Sequence, residues 1–159
     1  MTQERDAYGR FVKRGGNDGR RPVETVQELD ALLVRATTHA ARRVILLGYQ
    51  AISSETPVDL GTARSRWIVS VGAPMLDPPE VAGLSDDEVR ALAAKTYARN
   101  QTRAQGVAAK YRIEQGSAYI ANATPWIVPL NEGSSSQAPA KFVERALETA
   151  VKTAELEAA

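Results

Sequence analysis

Residues 56–72 constrain the fold more than any other stretch, because the chain changes there from a helical to a strand pattern. Pro57 fixes its own φ and pushes Thr56 out of the α region, so a helix arriving from upstream should end at this point. Asp59 then stands where its carboxylate can accept hydrogen bonds from the next backbone N–H groups. We therefore expect Asp59 to cap a short helical turn that runs to Ser65.

A strand is predicted after this turn, since the chain takes on a period of two from residue 66 to residue 71. Trp67, Val69 and Val71 fall on one face of that strand, and Arg66, Ile68 and Ser70 fall on the other. Residues 117–122 show the same alternation and form the best pairing partner. The sequence thus predicts a small antiparallel sheet with Trp67 as its main core anchor.

Two long helices are predicted on either side of this strand. The first begins near Pro22 and runs to about Tyr49, with apolar residues three and four apart along one face. The second begins after Ser85, which forms a capping box with Glu88, and ends at residues 115–116, with a weak point or an earlier end near Gly106 as the alternative. The buried stripe of the first helix is expected to consist of Val26, Leu29, Leu33, Ala36, Ala40, Val44 and Leu47. The buried stripe of the second helix is expected to begin with Val89, Leu92, Ala93, Thr96 and Tyr97.

Prolines organise the C-terminal part of the chain. Pro125 and Pro129 bracket residues 126–128, which can therefore form only an edge strand or a packed loop. Residues 130–136 are predicted to form a flexible loop. Pro139 suits the first turn of a final helix, because its missing N–H would be unpaired there in any case. The buried stripe of that helix is predicted to consist of Phe142, Val143, Ala146, Leu147, Ala150 and Val151.

Composition limits the class of protein. The 159 residues are 43% hydrophobic, enough for one ordinary domain with a core, and they contain no apolar run long enough to cross a membrane. The start of the chain lacks the apolar segment of a secretory signal. The absence of cysteine excludes disulfides and thiolate metal sites, and it fits a reducing cytosol. A net charge of +1 is too small to indicate a nucleic-acid reader.

Residues 1–22 differ from the rest of the chain, because they hold six Lys and Arg side chains, four glycines and few aliphatic residues. Such a segment cannot bury enough surface to offset its ordering entropy. We predict a flexible basic arm, followed by a single α+β domain over residues 23–159 in which long helices pack on the small sheet. Alternatively, the arm orders against a partner subunit or an acidic surface, with Tyr8, Phe11 and Val12 as an apolar anchor.

Motifs of known catalytic chemistry are missing from the sequence. It has no phosphate loop, no dinucleotide fingerprint, no His-Glu-x-x-His pattern and no nucleophile elbow. Asp86 with Asp87, or Asp59 with Glu132, could act as the general acid and base of a small hydrolase. The simpler explanation is that Asp86 and Asp87 stabilise the start of a helix and that Asp59 caps one. We therefore expect no catalytic, cofactor-binding or metal-binding residues and no small-molecule substrate.

Two stretches of the chain resemble one protein family. The first is TPVDLGTARSRW at residues 56–67 with VGAP at 71–74, and the second is YIAN at 119–122, TPW at 124–126 and PLNEGSSSQAPAKFV at 129–143. In the same order, they are similar to the signatures of tail-completion and head-to-tail joining proteins of long-tailed bacteriophages. The resemblance covers about half the chain and leaves out the N-terminal arm. Lys141 departs from it, because a small residue is common there.

The resemblance implies an α+β subunit that assembles into a homo-oligomeric ring, sixfold in tail terminators, at the head-proximal end of the tail tube. Its partners would be the tail-tube protein and the proteins of the head-tail connector and neck. DNA would pass through the ring without sequence-specific binding, and no membrane would be involved. The protein would be made in the host cytoplasm and reside in the virion. The family carries no catalytic residues, so the resemblance transfers none.

The matched positions are candidate interaction or structural residues. In the family pattern, glycines permit a tight backbone, and Gln-Ala-Pro leads into the terminal helix. The candidates in this chain are Asp59, Gly61, Trp67, Asn122, Pro125, Trp126, Glu132, Gly133, Gln137, Pro139 and Phe142.

Another class of function also fits the sequence. A DNA-packaging or nucleic-acid accessory protein would use the Arg-rich arm as its contact, and its affinity would fall steeply with salt. Removal of residues 1–22 would then abolish most of the binding. The hydrolase on Asp59 and Glu132 is a third hypothesis, and it requires turnover that is lost when Asp59 is replaced.

Overall fold

The structure, a computed structural model, describes residues 26–158, so the predicted basic arm of residues 1–22 lies outside the described residues. The chain divides into two units, residues 1–31 and residues 32–159. In the first unit, only residues 26–31 are described, and they are helical and exposed. All other elements belong to the second unit.

The fold belongs to the α+β class, which confirms the class predicted from the sequence. Helices dominate the described residues, and two short strands form one antiparallel sheet. The elements are α1 (Val26–Glu55), α2 (Thr62–Ser65), β1 (Ile68–Val71), α3 (Asp86–Lys110), a 3₁₀ turn (Ile113–Gln115), β2 (Ala118–Ala121), α4 (Ile127–Asn131) and α5 (Phe142–Ala158).

The sheet pairs the two predicted segments. Ile68 lies opposite Ala121 and Val71 lies opposite Ala118, so the antiparallel pairing is confirmed. β1 is buried on both faces rather than one. Helix α3 packs against β1, and the Arg103 side chain donates a hydrogen bond from Nε to the carbonyl oxygen of Val69 at 3.1 Å.

Helix α1 ends at Glu55, directly before the Thr56-Pro57 pair. The predicted end near Tyr49 was therefore wrong, whereas the stop imposed by Pro57 was right. The Thr56 hydroxyl donates to the carbonyl oxygen of Ile52 at 2.7 Å and closes the last turn.

The predicted buried face of α1 was wrong as well. Ile45, Tyr49 and Ile52 are buried, whereas Leu33 and the other early members of the predicted stripe are exposed. The reason is that residues 44–47 are all aliphatic, so they occupy every side of the helix and the spacing alone does not select a face. Gly48 lies on the buried face, where a Cβ atom would be 3.3 Å from side-chain atoms of both β2 and α5.

The start of α3 confirms the predicted capping box. Ser85 Oγ accepts a hydrogen bond from the backbone N–H of Glu88, and the backbone N–H of Ser85 donates to Glu88 Oε2 at 2.8 Å. This backbone hydrogen bond from Ser85 lowers the pKa of Glu88. The helix ends at Lys110 rather than at residues 115–116, and Gly106 lies within it. A separate 3₁₀ turn and Gly116, with φ of +88°, lead into β2.

The predicted cap by Asp59 was wrong. The short helix α2 has Gly61 at its N-cap, with φ of +85° and no side-chain cap, and Asp59 is exposed. Glycine adopts this left-handed conformation without the steric cost of a Cβ atom. A Cβ atom at Gly61 would also come within 3.3 Å of the Ala93 Cβ on α3, so α2 and α3 pack closely here.

The C-terminal part differs from its prediction at three points. Residues 127–131 form the helix α4, not an edge strand or loop, because Pro129 occupies the first turn, where its missing N–H breaks no helical hydrogen bond. Pro139 lies in irregular chain before α5, which begins only at Phe142. The buried stripe of α5 consists of Phe142, Ala146, Ala150 and Ala154, whereas Leu147 and Val151 are exposed.

One buried charge was not foreseen. Arg66 was assigned to the second face of the strand, and its side chain is buried beside β1. Its guanidinium group pairs with Asp77 at 2.7 Å, and the same carboxylate pairs with Arg99 on α3 at 2.8 Å. The loop after β1 is thus held to α3 by a carboxylate shared between two guanidinium groups.

The main core lies between α1, α3, α5 and the sheet. Its members come from every long helix, so the three helices and the sheet share one buried cluster. It consists of Ile45, Tyr49, Ile52, Trp67, Val69, Ala104, Ala108, Tyr111, Ala138, Phe142 and Ala146.

The hydroxyl of Tyr49 is a weak point of this core. Tyr49 is only 1% exposed, and its Oη has no hydrogen-bond partner of normal geometry among the described residues. Burial raises the pKa of Tyr49 to about 12, and the neighbouring Ser53 hydroxyl offsets this only in part. Between pH 10 and 12, the unfolded phenol therefore loses its proton while the folded one keeps it, so stability falls as the pH rises.

We expect Tyr49→Phe to be at least as stable as the parent protein at pH 7, because an unpaired buried hydroxyl is removed. Above pH 10, its advantage in the free energy of unfolding should grow by about 1.4 kcal/mol per pH unit. Urea unfolding of both proteins at pH 7 and pH 11 measures this difference. The same advantage at both pH values would contradict a raised pKa of Tyr49 in the folded protein.

Candidate functional site

Residues 56–74 and residues 119–143 meet in the structure. Asn122, at the end of β2, donates from Nδ2 to the carbonyl oxygen of Ala63 at 2.8 Å, and its Oδ1 accepts from the backbone N–H of Thr124 at 2.9 Å. Gln137 Oε1 accepts from the backbone N–H of Val58 at 2.9 Å. Side chains of the second stretch therefore hold the backbone of the first in place.

A groove lies along this junction, and we call it the Trp126 groove. It has a volume of about 470 Å³ and is lined by residues 57–63, the start of α3 and the turn before α4. Four of the predicted site residues line it together, although they are far apart in sequence. They are Asp59, Gly61, Trp126 and Gln137.

The Trp126 groove combines exposed apolar surface with negative charge. The Trp126 side chain is 42% exposed, and Val58 and Leu84 are also exposed. Asp59 and Asp86 are the charged residues of the lining, which holds no Lys or Arg. Such a surface is suited to a partner that carries both apolar and basic side chains.

A second groove, the Trp67 groove, lies on another side of α4. It has a volume of about 440 Å³, and Trp67, Ile127 and Val128 supply its apolar lining. Lys141 and Glu144 supply charge at its rim. The Asn131 side chain donates from Nδ2 to Glu144 Oε2 at 2.9 Å, and this hydrogen bond lowers the pKa of Glu144.

Asn131 is a structural residue that the sequence reasoning missed. Its Oδ1 accepts from the backbone N–H of Val143 at 2.9 Å, and its carbonyl oxygen accepts from the backbone N–H of Lys141. Asn131 thereby provides acceptors for backbone N–H groups at the start of α5, which have no partner within that helix. Lys141 has a φ of +60°, so the position where the resemblance favours a small residue has a left-handed backbone. The Asn-Glu-Gly sequence at residues 131–133, directly before a turn, was the signal from which this role of Asn131 could have been predicted.

The other predicted site residues are distributed between the core and the surface. Trp67 and Phe142 are buried in the core. Pro125, Glu132 and Pro139 are exposed next to α4 and α5.

Gly133, the last of the predicted set, follows α4 with a φ of +96°. A Cβ atom there would lie 3.1 Å from the Ala140 Cβ, so glycine is needed both for the backbone conformation and for close packing.

Helix α1 contributes a third exposed surface. Residues 32–37 are helical and exposed on every side, and burial begins only at Thr38. Leu32, Leu33 and Val34 are consecutive in this segment, and Leu33 is 56% exposed. We call residues 32–37 the exposed α1 segment. The sequence pattern placed Leu33 in the buried stripe of α1, whereas the structure exposes it.

The structure does not place Asp59 and Glu132 in one groove. Asp59 lines the Trp126 groove, whereas Glu132 lines the Trp67 groove. Within residues 26–158, no group of three or more His, Asp or Glu side chains is arranged to hold a metal ion. No helix in this part of the chain is long and apolar enough to cross a membrane.

Comparison with known proteins gives no match to this chain, either among family models, among curated proteins or among solved structures.

The geometry at Gly133 leads to a stability prediction with a matched control. Gly133→Ala and Gly83→Ala both place a Cβ at a φ of +80° or more, but only at Gly133 does it meet a neighbour within 4 Å. We expect a loss of about 1–2 kcal/mol for Gly83→Ala, and of roughly 1 kcal/mol more for Gly133→Ala. Urea unfolding measures both values, and equal losses would show that the contact with Ala140 is unimportant.

Proposed function

We infer that this protein is a structural subunit of a bacteriophage neck or tail top. In this role, copies of the chain assemble into a ring that ends the tail tube and joins the tail to the head connector. The resemblance of residues 56–74 and 119–143 to tail-completion proteins suggests the role. The exposed α1 segment is the structural observation that supports it best.

The direction of the apolar side chains in this segment favours a ring. Successive residues in an α-helix are about 100° apart, so Leu32 and Val34 point about 200° apart around the helix axis. One neighbour that packs along one side would leave the opposite side exposed. In a ring, every subunit has two neighbours that contact different surfaces, so both sides can be covered.

The joined stretches fit a role in assembly rather than in turnover. Asn122 and Gln137 hold residues 58–63 through backbone hydrogen bonds, and the resulting surface carries Trp126 at an exposed position. Exposed aromatic side chains in a rigid setting are typical anchors of protein interfaces. The tail-tube protein and the connector are the partners that this proposal assigns.

Self-association is the first test. Mass photometry and sedimentation velocity of the full chain should show a closed ring, with six copies if the chain follows the tail terminators. Leu33→Glu should weaken association by at least about tenfold, because a buried leucine contributes about 1.5–3 kcal/mol and a buried carboxylate is unfavourable. Gln50→Glu, which adds the same charge at an exposed position of α1, is the control. A parent protein that stays monomeric at high concentration would refute the proposal.

Tube termination is the second test. Electron microscopy of the phage's tail-tube protein, polymerised with and without the chain, should show tubes with a ring at one end and a reduced length. Leu33→Glu should leave the tube ends bare, whereas Gln50→Glu should not. Rings that never attach to tubes would rule out the terminator role and leave only a ring-forming protein.

A further inference from the structure

The Trp126 groove has a lining that a basic, aromatic peptide would complement. Its exposed apolar side chains include Trp126, Val58 and Leu84, and its charged side chains are Asp59 and Asp86. Asp86 begins α3, and Asp87 beside it does not line the groove. The Asp87 side chain is 96% exposed and pairs with Arg90 at 3.3 Å. The groove is therefore negative at its rim and apolar inside.

The chain itself contains a segment with the opposite character. Residues 1–22 include six basic and three acidic side chains, a net charge of +3. Tyr8 and Phe11 are their only aromatic residues, and Arg10, Lys13 and Arg14 lie close to them in sequence. This composition pairs apolar anchors with positive charge, as the groove pairs apolar surface with negative charge.

We propose that the basic arm of one copy binds in the Trp126 groove of the neighbouring copy, with Tyr8 and Phe11 against the apolar lining and the basic residues facing Asp59 and Asp86. The inference rests on the proposed ring, since it assigns the neighbour to the next subunit. It gives the arm a defined role in joining successive subunits.

The proposed ring identifies the neighbouring copy as the partner. Each subunit of a ring lies beside two others, so the arm of one copy has the groove of another copy beside it. The isotope labels in the experiment below distinguish that groove from the groove of the same copy.

Photo-crosslinking with isotope labels tests this contact in the full chain. The photoreactive amino acid p-benzoylphenylalanine replaces Phe11, and unlabelled copies are mixed with ¹⁵N-labelled copies before assembly. We expect cross-links from residue 11 to residues 57–63, to residues 81–89 or to Trp126, and they should join a light to a heavy copy. Cross-links that join only peptides of the same label, or that avoid the groove, would overturn the proposal.

Charge variants provide the second readout on the same cross-link. Asp59→Asn combined with Asp86→Asn should reduce the yield of the light-to-heavy cross-link by about 3–10-fold, since each rim charge contributes modestly to binding. Asp87→Asn is the control, because it removes the same charge from the same helix turn outside the groove. It also breaks the exposed pair with Arg90, which contributes little, so the yield should stay unchanged. An unchanged cross-link yield in the double variant would overturn the proposal that the basic arm faces Asp59 and Asp86.

The mass of the assembly, measured on the same samples, separates this inference from the proposed function. A ring that forms without cross-links to the groove overturns arm binding and leaves the ring intact as a proposal. The absence of both the ring and the cross-links counts against both. A ring with light-to-heavy cross-links in the groove supports both.

Discussion

The hydrogen bond between Trp67 and Thr56 is the contact on which the rest of the structure depends. The indole N–H of Trp67 donates to Thr56 Oγ1 at 2.8 Å, and the same hydroxyl donates to the carbonyl oxygen of Ile52 at 2.7 Å. One buried hydroxyl therefore closes the last turn of α1 and fixes the start of β1. Because the Trp67 ring belongs to the core and also lines a groove, the position of that groove follows from how α1 ends.

Local signals in the sequence were sufficient to predict helix ends and strands wherever one residue type has one physical consequence. Pro57 ended α1, Ser85 and Glu88 capped α3, and the alternation in two short segments selected the strands that pair. Each of these effects acts within a few residues and does not depend on the rest of the fold. The α+β class followed from them, because two long helical patterns and two short strands permit few other arrangements.

Features that depend on packing between distant segments were not predictable. The buried face of α1 was ambiguous because aliphatic residues surround the helix near Ile45, and only contact with the other elements selects one side. The Trp126 groove draws on three separate stretches of chain, so no local pattern contains it. Pro129 shows the limit of a local rule, since a proline excludes a central strand but is equally compatible with the first turn of a helix.

The side chains that attach α5 decrease in size along the helix. Phe142 is fully buried at its start, but only the methyl groups of Ala146, Ala150 and Ala154 are buried after it. Each alanine removes little apolar area from water, and the exposed pair of Arg43 and Glu157 near the far end adds little. The start of α5 is therefore held more firmly than its end. We expect its last turns to unfold locally far more often than its first, and the burial of Phe142 to limit how far this local unfolding extends.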